Sequence, residues 1–308
     1  MSEVTLIFTH FGYSNYLEYT LSCARMTNPK ARLVLLGDRD NYDVAVRNGW
    51  EHFNYESFTN EFHARFARVF RHVRGKKFNP IKNGRDWLRY VFERWFFLAG
   101  FLDNEAIDRF WHFDSDTMVL QDLAPYEQDL AWADFTVQCN NTCLNGLART
   151  VVVSEYCEHI CELFEDAEFI AKQQDEFDSI NPQYAFSEMR AFDHYKHTTS
   201  RPYIHLLKYQ DAKAFDDCIC QEHGFEMCTL PSGETIKYLF ANDGRLYGLR
   251  DGREVEFISL NLSWVPDYVF EWVVDALHGS NSNILQTRSP AGPRVRGMAR
   301  KIKRMLKR

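Results

Sequence analysis

The stretch Val4–Asp38, "VTLIFTHFGYSNYLEYTLSCARMTNPKARLVLLGD", governs the reading of the rest of the chain. Val4 to Phe8 is a short apolar run of the kind that a parallel strand buries on both faces, and Leu33 to Leu36 is a second. Between them Leu17, Leu21 and Ala24 recur at helical spacing, so the pattern predicts strand, loop, helix, strand: a right-handed βαβ unit. The two strands end in polar loops, at Thr9, His10 and Gly12 and at Gly37 and Asp38. Ligands of open α/β sheets bind outside the carboxyl ends of the strands, which makes both loops candidate binding residues. Loops that only turn the chain use the same residue types.

A second stretch, "RFWHFDSDTMVL" at 109–120, sets Asp114 and Asp116 between two apolar runs. Carboxylates spaced i, i+2 at a strand end can face one divalent ion if the residue between them turns outward, and Mg²⁺ or Mn²⁺ accepts such hard oxygen ligands alongside phosphate oxygens. The segment that leads here, "DWLRYVFERWFFLAGFL" at 86–102, reads as a helix. Asp86 can cap it, Trp87, Val91, Trp95 and Leu98 share one face, and Arg89 and Glu93 sit four apart on another beside Arg94.

Between the opening unit and that helix, "RGKKFNPIKNGRD" is a basic, turn-rich link. Beyond Leu120 the pattern predicts a short loop and a strand through "DLAPYEQDLAWADFTVQ", a polar turn at "CNNTCLNG", a helix over Val151–Phe164 and a polar stretch. Ser187 then stands where it can cap a helix beginning at Glu188. Asn242-Asp243-Gly244 and Asp251-Gly252 are turn signals that separate short strands. Residues 278–293 are rich in Ser, Asn, Gly and Pro and read as a linker.

The chain has 308 residues, 45% of them hydrophobic and 15% aromatic, ample for a sizeable core. A run of roughly 18 apolar residues is lacking, so no spanning helix is expected, and "MSEVTLIFTH" has neither the basic start nor the cleavage site of a signal peptide. The expected location is therefore cytoplasmic. Eight cysteines are scattered without the CxxC pairs that zinc sites favour. Cys139/Cys143 and Cys157/Cys161 are spaced so that a helix would bring their sulfurs together, but reduced core thiols account for them more simply and no cysteine chemistry is expected.

The net charge of -7 hides an asymmetry, because residues 294–308 carry eight Lys or Arg and no acid. Val295, Met298, Ile302, Met305 and Leu306 recur there at helical spacing. The expectation is a basic amphipathic helix on an anionic membrane surface, held partly by about 1 kcal/mol per basic residue close to that surface. A nucleic-acid arm needs no apolar stripe, and the acidic body before the tail argues against a nucleic-acid partner.

Taken together, the βαβ start, the helix carrying "ERWFFL" and "FWHFDSDTMVL" resemble bacterial glycosyltransferases of the GT-A fold, the kind that build lipopolysaccharide and capsule chains. The resemblance covers approximately residues 4–265. It implies a Rossmann-like mixed central sheet flanked by helices over 1–277, a nucleotide-sugar donor, UDP-linked, and a Mn²⁺ or Mg²⁺ ion. Thr9, His10 and Gly12 would then border the base, and Asp38 would touch base or ribose. Arg94 would face the nucleotide-sugar, although a surface pair with a neighbouring acid is an equal reading. Asp114 would face ribose or sugar and join the metal set, and Asp116 would ligate the ion directly.

"FSEMRAF" resembles the short acidic motif near the acceptor in this family, which makes Glu188 the candidate general base, or else an ordinary first-turn glutamate. Asn145 in "CNNTCLNG" is a candidate for sugar hydroxyls, or a plain turn residue. Relatives often complete the metal site with a late histidine, where this chain has Asn261 in "FISLNLSW"; an Asn carbonyl is a poorer ligand, and His194, His197 and His223 are alternatives. The tail would hold the enzyme on the inner face of the cytoplasmic membrane, where a lipid-linked glycan acceptor is presented. Two rivals remain. Asp114 would be the nucleophile of a haloacid-dehalogenase-type phosphatase, but Met118 and the order of the motifs fit that class badly. A catalytically inactive membrane-peripheral scaffold would account for the missing histidine.

Overall fold

The computed structural model describes residues 4–82, 85–279 and 282–286. In chain order the elements are β1 (Thr5–Thr9), α1 (Leu17–Thr27), β2 (Arg32–Gly37), α2 (Tyr42–Arg47), β3 (Glu51–Asn54), α3 (Glu61–Val69), β4 (Ile81–Lys82), β5 (Arg85–Asp86) and α4 (Trp87–Asn104). They continue with β6 (Arg109–Asp114), β7 (Thr117–Val119), α5 (Ala124–Asp129), β8 (Phe135–Gln138), β9 (Cys143–Arg149), α6 (Thr150–Glu165), α7 (Ala167–Ser179), α8 (Glu188–Thr198) and β10 (Tyr203–His205). The last are β11 (Lys213–Phe215), β12 (Met227–Thr229), β13 (Thr235–Lys237), β14 (Leu239–Asn242), β15 (Arg245–Arg250), β16 (Arg253–Asn261) and α9 (Asp267–Leu277).

The chain divides into two compact units. The first, made of residues 1–13, 30–114 and 124–205, holds a mixed sheet in the order β10-β8-β9-β6-β1-β2-β3. Strands β6, β1, β2 and β3 run parallel and β9 is antiparallel to both β6 and β8. The chain builds outward from β1 through β2 to β3, and α4 then returns it to β6 on the other side of β1. Strand order therefore reverses between β1 and β6, and the register there sets Thr9 beside Asp114. Such a reversal opens a crevice at the carboxyl ends of the strands.

Helix α4 forms the core of this unit, as the apolar spacing over 86–102 predicts. Asp86 caps it by accepting from the Arg89 amide at 3.2 Å, and Val91, Trp95 and Leu98 are buried. Trp87, expected on the same face, lies in the first turn and stays exposed. Phe66, Phe92 and Phe96 of α3 and α4 pack with Phe164 of α6, each contributing about 1.5–3 kcal/mol through burial.

The second unit, residues 14–29, 115–123 and 206 onward, has a sheet in the order β11-β16-β15-β14 with β7 paired to β16. Helix α1 packs against β7 and α9. Both expected turns are present: Asp243-Gly244 (φ 49° and 72°) joins β14 to β15, and Asp251-Gly252 (φ 50° and 71°) joins β15 to β16. Left-handed residues at both central positions match the twist of the flanking strands, which is why Asp-Gly is found there.

Several local expectations are corrected. The loop expected after Leu120 contains α5, the polar stretch before Ser187 contains α7, and the second half of "CNNTCLNG" belongs to β9. Helix α8 does begin at Glu188, but the Ser187 side chain makes no capping hydrogen bond. Within the stretch read as a linker, residues 282–286 are anchored: Ile284 is buried, the Ala241 amide donates to the Ser282 carbonyl at 2.8 Å and Trp272 Nε1 donates to Ser282 Oγ at 3.1 Å. The helix expected over 294–308 lies outside the described residues. Among the described residues no helix is long and apolar enough to cross a membrane.

Candidate functional site

In the first unit the loops after β1 and β2 are tied together by their own polar groups. The Gly12 amide donates to Asp38 Oδ2 at 2.8 Å, and Asn41 Nδ2 donates to the Gly12 carbonyl at 2.8 Å and the His10 carbonyl at 3.3 Å. Gly12 has φ 76°, a left-handed conformation that glycine adopts without cost. At Gly37 a β-carbon would lie 1.9 Å from Asn41 Oδ1, so the residue lets Asn41 reach across. Thr9 and His10 are buried, with Thr9 Oγ1 lying 3.3 Å from His112 Nε2. Burial pushes the His10 imidazole down to about 4 against the opposing pull of Asp38, so His10 is neutral at physiological pH.

Beside these loops, at the end of β6, four side chains meet. Arg94 Nη1 of α4 donates to Asp114 Oδ1 at 2.7 Å, and Arg94 Nη2 lies 3.6 Å from Glu188 Oε1 at the start of α8. Asn145 Nδ2 of β9 donates to Asp114 Oδ2 at 3.3 Å. Burial alone would raise the Asp114 carboxyl, but the Arg94 guanidinium outweighs it and holds Asp114 below its ordinary value. Glu188 goes the other way. Burial, reinforced by the Asp114 charge, pushes its carboxyl up to about 7 although Arg94 opposes the shift. One carboxylate of the site is thus firmly ionised and the other is poised to exchange a proton near neutral pH.

Arg94 is consequently not a surface residue paired with a chance neighbour. Its side chain is 12% exposed, and Tyr156 steadies the third corner by donating from its hydroxyl to the Glu188 carbonyl at 2.7 Å. Asn145, read as a residue of a polar turn, is buried inside β9.

Asp116 belongs to the second unit, where it meets Asn261 through a residue that the sequence reading passed over. Ser263 Oγ lies 2.8 Å from Asp116 Oδ2 and 2.7 Å from Asn261 Oδ1, and the Ser263 amide donates to Asn261 Oδ1 at 3.1 Å. One hydroxyl proton cannot satisfy two acceptor oxygens at once. With the Ser263 amide already serving Asn261 Oδ1, the Ser263 hydroxyl proton can serve Asp116, and the all-oxygen donor set is of the kind a hard divalent cation accepts. Ser115, expected to turn outward between the aspartates, is instead buried, with its Oγ 3.5 Å from the Tyr16 hydroxyl. Behind Asn261, its amide donates to Asp216 Oδ2 at 3.2 Å, and fully buried Lys237 donates to Asp216 Oδ1 at 2.5 Å. The sequence carried no signal for that ion pair beyond two aspartates after an apolar run.

The alternative histidines are engaged elsewhere. His194 Nδ1 lies 2.9 Å from His159 Nε2, His197 Nδ1 lies 2.6 Å from the Asp193 carbonyl, and His223 stands 3.7 Å from Asp217. Cys157 and Cys161 are buried in α6, where burial pushes the Cys161 thiol up to about 11. Cys139 and Cys143 differ: they flank a turn rather than a helix, and their sulfurs gather with a carboxylate oxygen of Asp114, all within 4.8 Å of one another.

No protein family matches the sequence, and no curated protein does. Among solved structures the chain is similar to mouse xyloside xylosyltransferase 1 in its apo form, over 69% of this chain and 88% of that one, at 9% identity and a TM-score of 0.44. It is also similar to the glycosyltransferase GlyE of Streptococcus pneumoniae TIGR4, over 67% of this chain and 45% of that one, at 13% identity and a TM-score of 0.32.

Proposed function

We propose that this chain is a GT-A-type glycosyltransferase that moves a sugar from a UDP-linked donor to a lipid-linked glycan acceptor in cell-surface polysaccharide synthesis. The observation that carries the reading is the reversal of strand order between β1 and β6, where Asp114 is registered against Thr9 and bound by Arg94. A nucleotide fits the crevice that such a reversal creates. In this reading the Thr9–Gly12 loop and Asp38 border base and ribose, while Arg94, Asp114 and Asn145 bind the sugar and its phosphates. Each oxygen of Asp114 keeps a lone pair for a sugar hydroxyl after accepting from Arg94 and Asn145.

Asp116, Asn261 and Ser263 are the residues proposed to hold Mn²⁺ or Mg²⁺, their donor set being oxygen throughout. Bound there, the ion supplies neutralisation of the charge that builds on a departing diphosphate. Glu188 takes the proton of the acceptor hydroxyl, a role that its raised affinity for protons suits near neutral pH. Residues 294–308 are proposed to keep the protein on the inner face of the cytoplasmic membrane, close to lipid-linked acceptor.

The test is UDP release from a panel of nucleotide sugars, with Mn²⁺ and then with EDTA. Turnover that is lost with chelator and in Asp116→Ala is expected. Phosphate release from simple phosphomonoesters would instead favour the phosphatase reading, although Asp114, its nucleophile, is held by Arg94 and Asn145.

A further inference from the structure

We propose that Cys139, Cys143 and Asp114 form a binding site for a thiophilic divalent cation of the zinc class, separate in chemistry from the oxygen set around Asp116. Their ligand atoms already lie within 4.8 Å of one another. Tetrahedral zinc with Zn–S bonds of about 2.3 Å holds its sulfurs about 3.8 Å apart, so closure needs side-chain movements of about 1 Å at most.

The turn that presents the sulfurs is built unusually. Cys139, Asn140 and Asn141 are all left-handed, with φ of 54°, 56° and 68°. Asn accepts that conformation readily; Cys does not. A turn selected only to reverse the chain gains nothing from Cys139 there, and strain of this kind points to a function. The geometry is also locked. The Thr142 amide donates to the Gln138 carbonyl at 3.1 Å, Thr142 Oγ1 donates to the Cys139 carbonyl at 2.6 Å, and buried Lys196 donates to the Asn141 carbonyl at 2.5 Å.

Charge selects the ion class. Arg94 stands 2.7 Å from Asp114, so a hard dication taken up by this carboxylate would add two positive charges beside a buried guanidinium. A zinc-class ion binds two thiolates, and the two thiol protons leave to solvent, so the net charge of the site does not change. Both hydrogen bonds to Asp114 can persist, because each oxygen retains a lone pair for the metal.

The experiment uses the full chain, reduced and stripped of metal, titrated with Co²⁺ in the absence of any sugar donor, so its outcome is independent of the transferase reading. A thiolate-to-cobalt charge-transfer absorption, displaced by Zn²⁺, is expected. Cys139→Ser and Cys143→Ser should each weaken binding at least roughly tenfold, and Asp114→Asn should weaken it while leaving the charge-transfer absorption in place. Cys139 is only half-buried, so Cys139→Ser decides the matter if the buried Cys143 cannot be replaced without unfolding. Absence of the absorption in the wild type overturns the proposal. So does its survival at unchanged affinity in Cys139→Ser, or its loss in Cys218→Ser/Cys220→Ser, which removes another close cysteine pair.

Discussion

Replacing Glu188 by Gln removes a single titrating proton from the centre of the site and leaves a group of the same shape. In the folded protein the Glu188 carboxyl is raised from 4.5 to about 7, with burial the largest cause. A raised value means that the folded state binds the proton more tightly than the unfolded chain does. The associated stability is fully present below about pH 4.5 and is lost as pH rises through 7. The rise in the Glu188 value corresponds to about 3 kcal/mol, at about 1.36 kcal/mol for each tenfold change in proton affinity. Wild-type stability, measured by urea unfolding relative to Glu188→Gln, should therefore fall by about this amount between pH 4.5 and pH 8. Taking the difference cancels Asp114 and the other carboxylates, which titrate in both proteins. A difference that stays flat across this range, within about 0.5 kcal/mol, would refute the claim that Glu188 is buried at a cost. In the transfer assay the same proton should appear as a rise of kcat/KM through pH 7, with the variant reduced by 10²-fold or more if Glu188 is the base.

Arg94→Met should destabilise the protein by roughly 2–4 kcal/mol in urea, because it strips the compensating charge from half-buried Asp114 and Glu188, and adding Glu188→Gln should recover part of the loss. Lys237→Met should cost a comparable amount by removing the cation that offsets the Asp216 carboxyl at full burial, which thermal unfolding near pH 7 will read. Ser263→Ala should weaken Mn²⁺ activation of UDP release by roughly tenfold, measured as the Mn²⁺ concentration for half-maximal rate, while the KM for an acceptor stays unchanged. Removing residues 294–308 should release the protein from anionic vesicles in a flotation assay and spare transfer to a soluble acceptor; loss of both together would contradict the membrane role.

The elements legible in the sequence are those set by near neighbours. The apolar runs at Val4–Phe8 and Leu33–Leu36 became β1 and β2, the Asp86 cap opened α4, and the two Asp-Gly turns closed their hairpins. Each of these depends on neighbours within a few residues, where side-chain periodicity and backbone preference act directly. Helix α7 escaped notice because its exposed polar face outweighs two buried anchors, Ile170 and Phe177. Asp114 and Asp116 were legible as a pair, but not that the chain parts between them into different units.

The sequence by itself determined β1, β2, the capped helix α4 and the two Asp-Gly hairpins, and that the carboxylates lie at a strand end, since these follow from local spacing and turn chemistry. Only the tertiary structure decided what those carboxylates meet. Asn145 and Asp114 are 31 positions apart, Thr9 and His112 are 103, and Ser263 and Asp116 are 147. No pattern in the chain encodes such distances; strand order and register do. The same long-range placement, not the composition, sets Glu188 near neutrality and Asp114 well ionised, because burial raises both carboxyls and one guanidinium lowers both, and the guanidinium prevails only at Asp114.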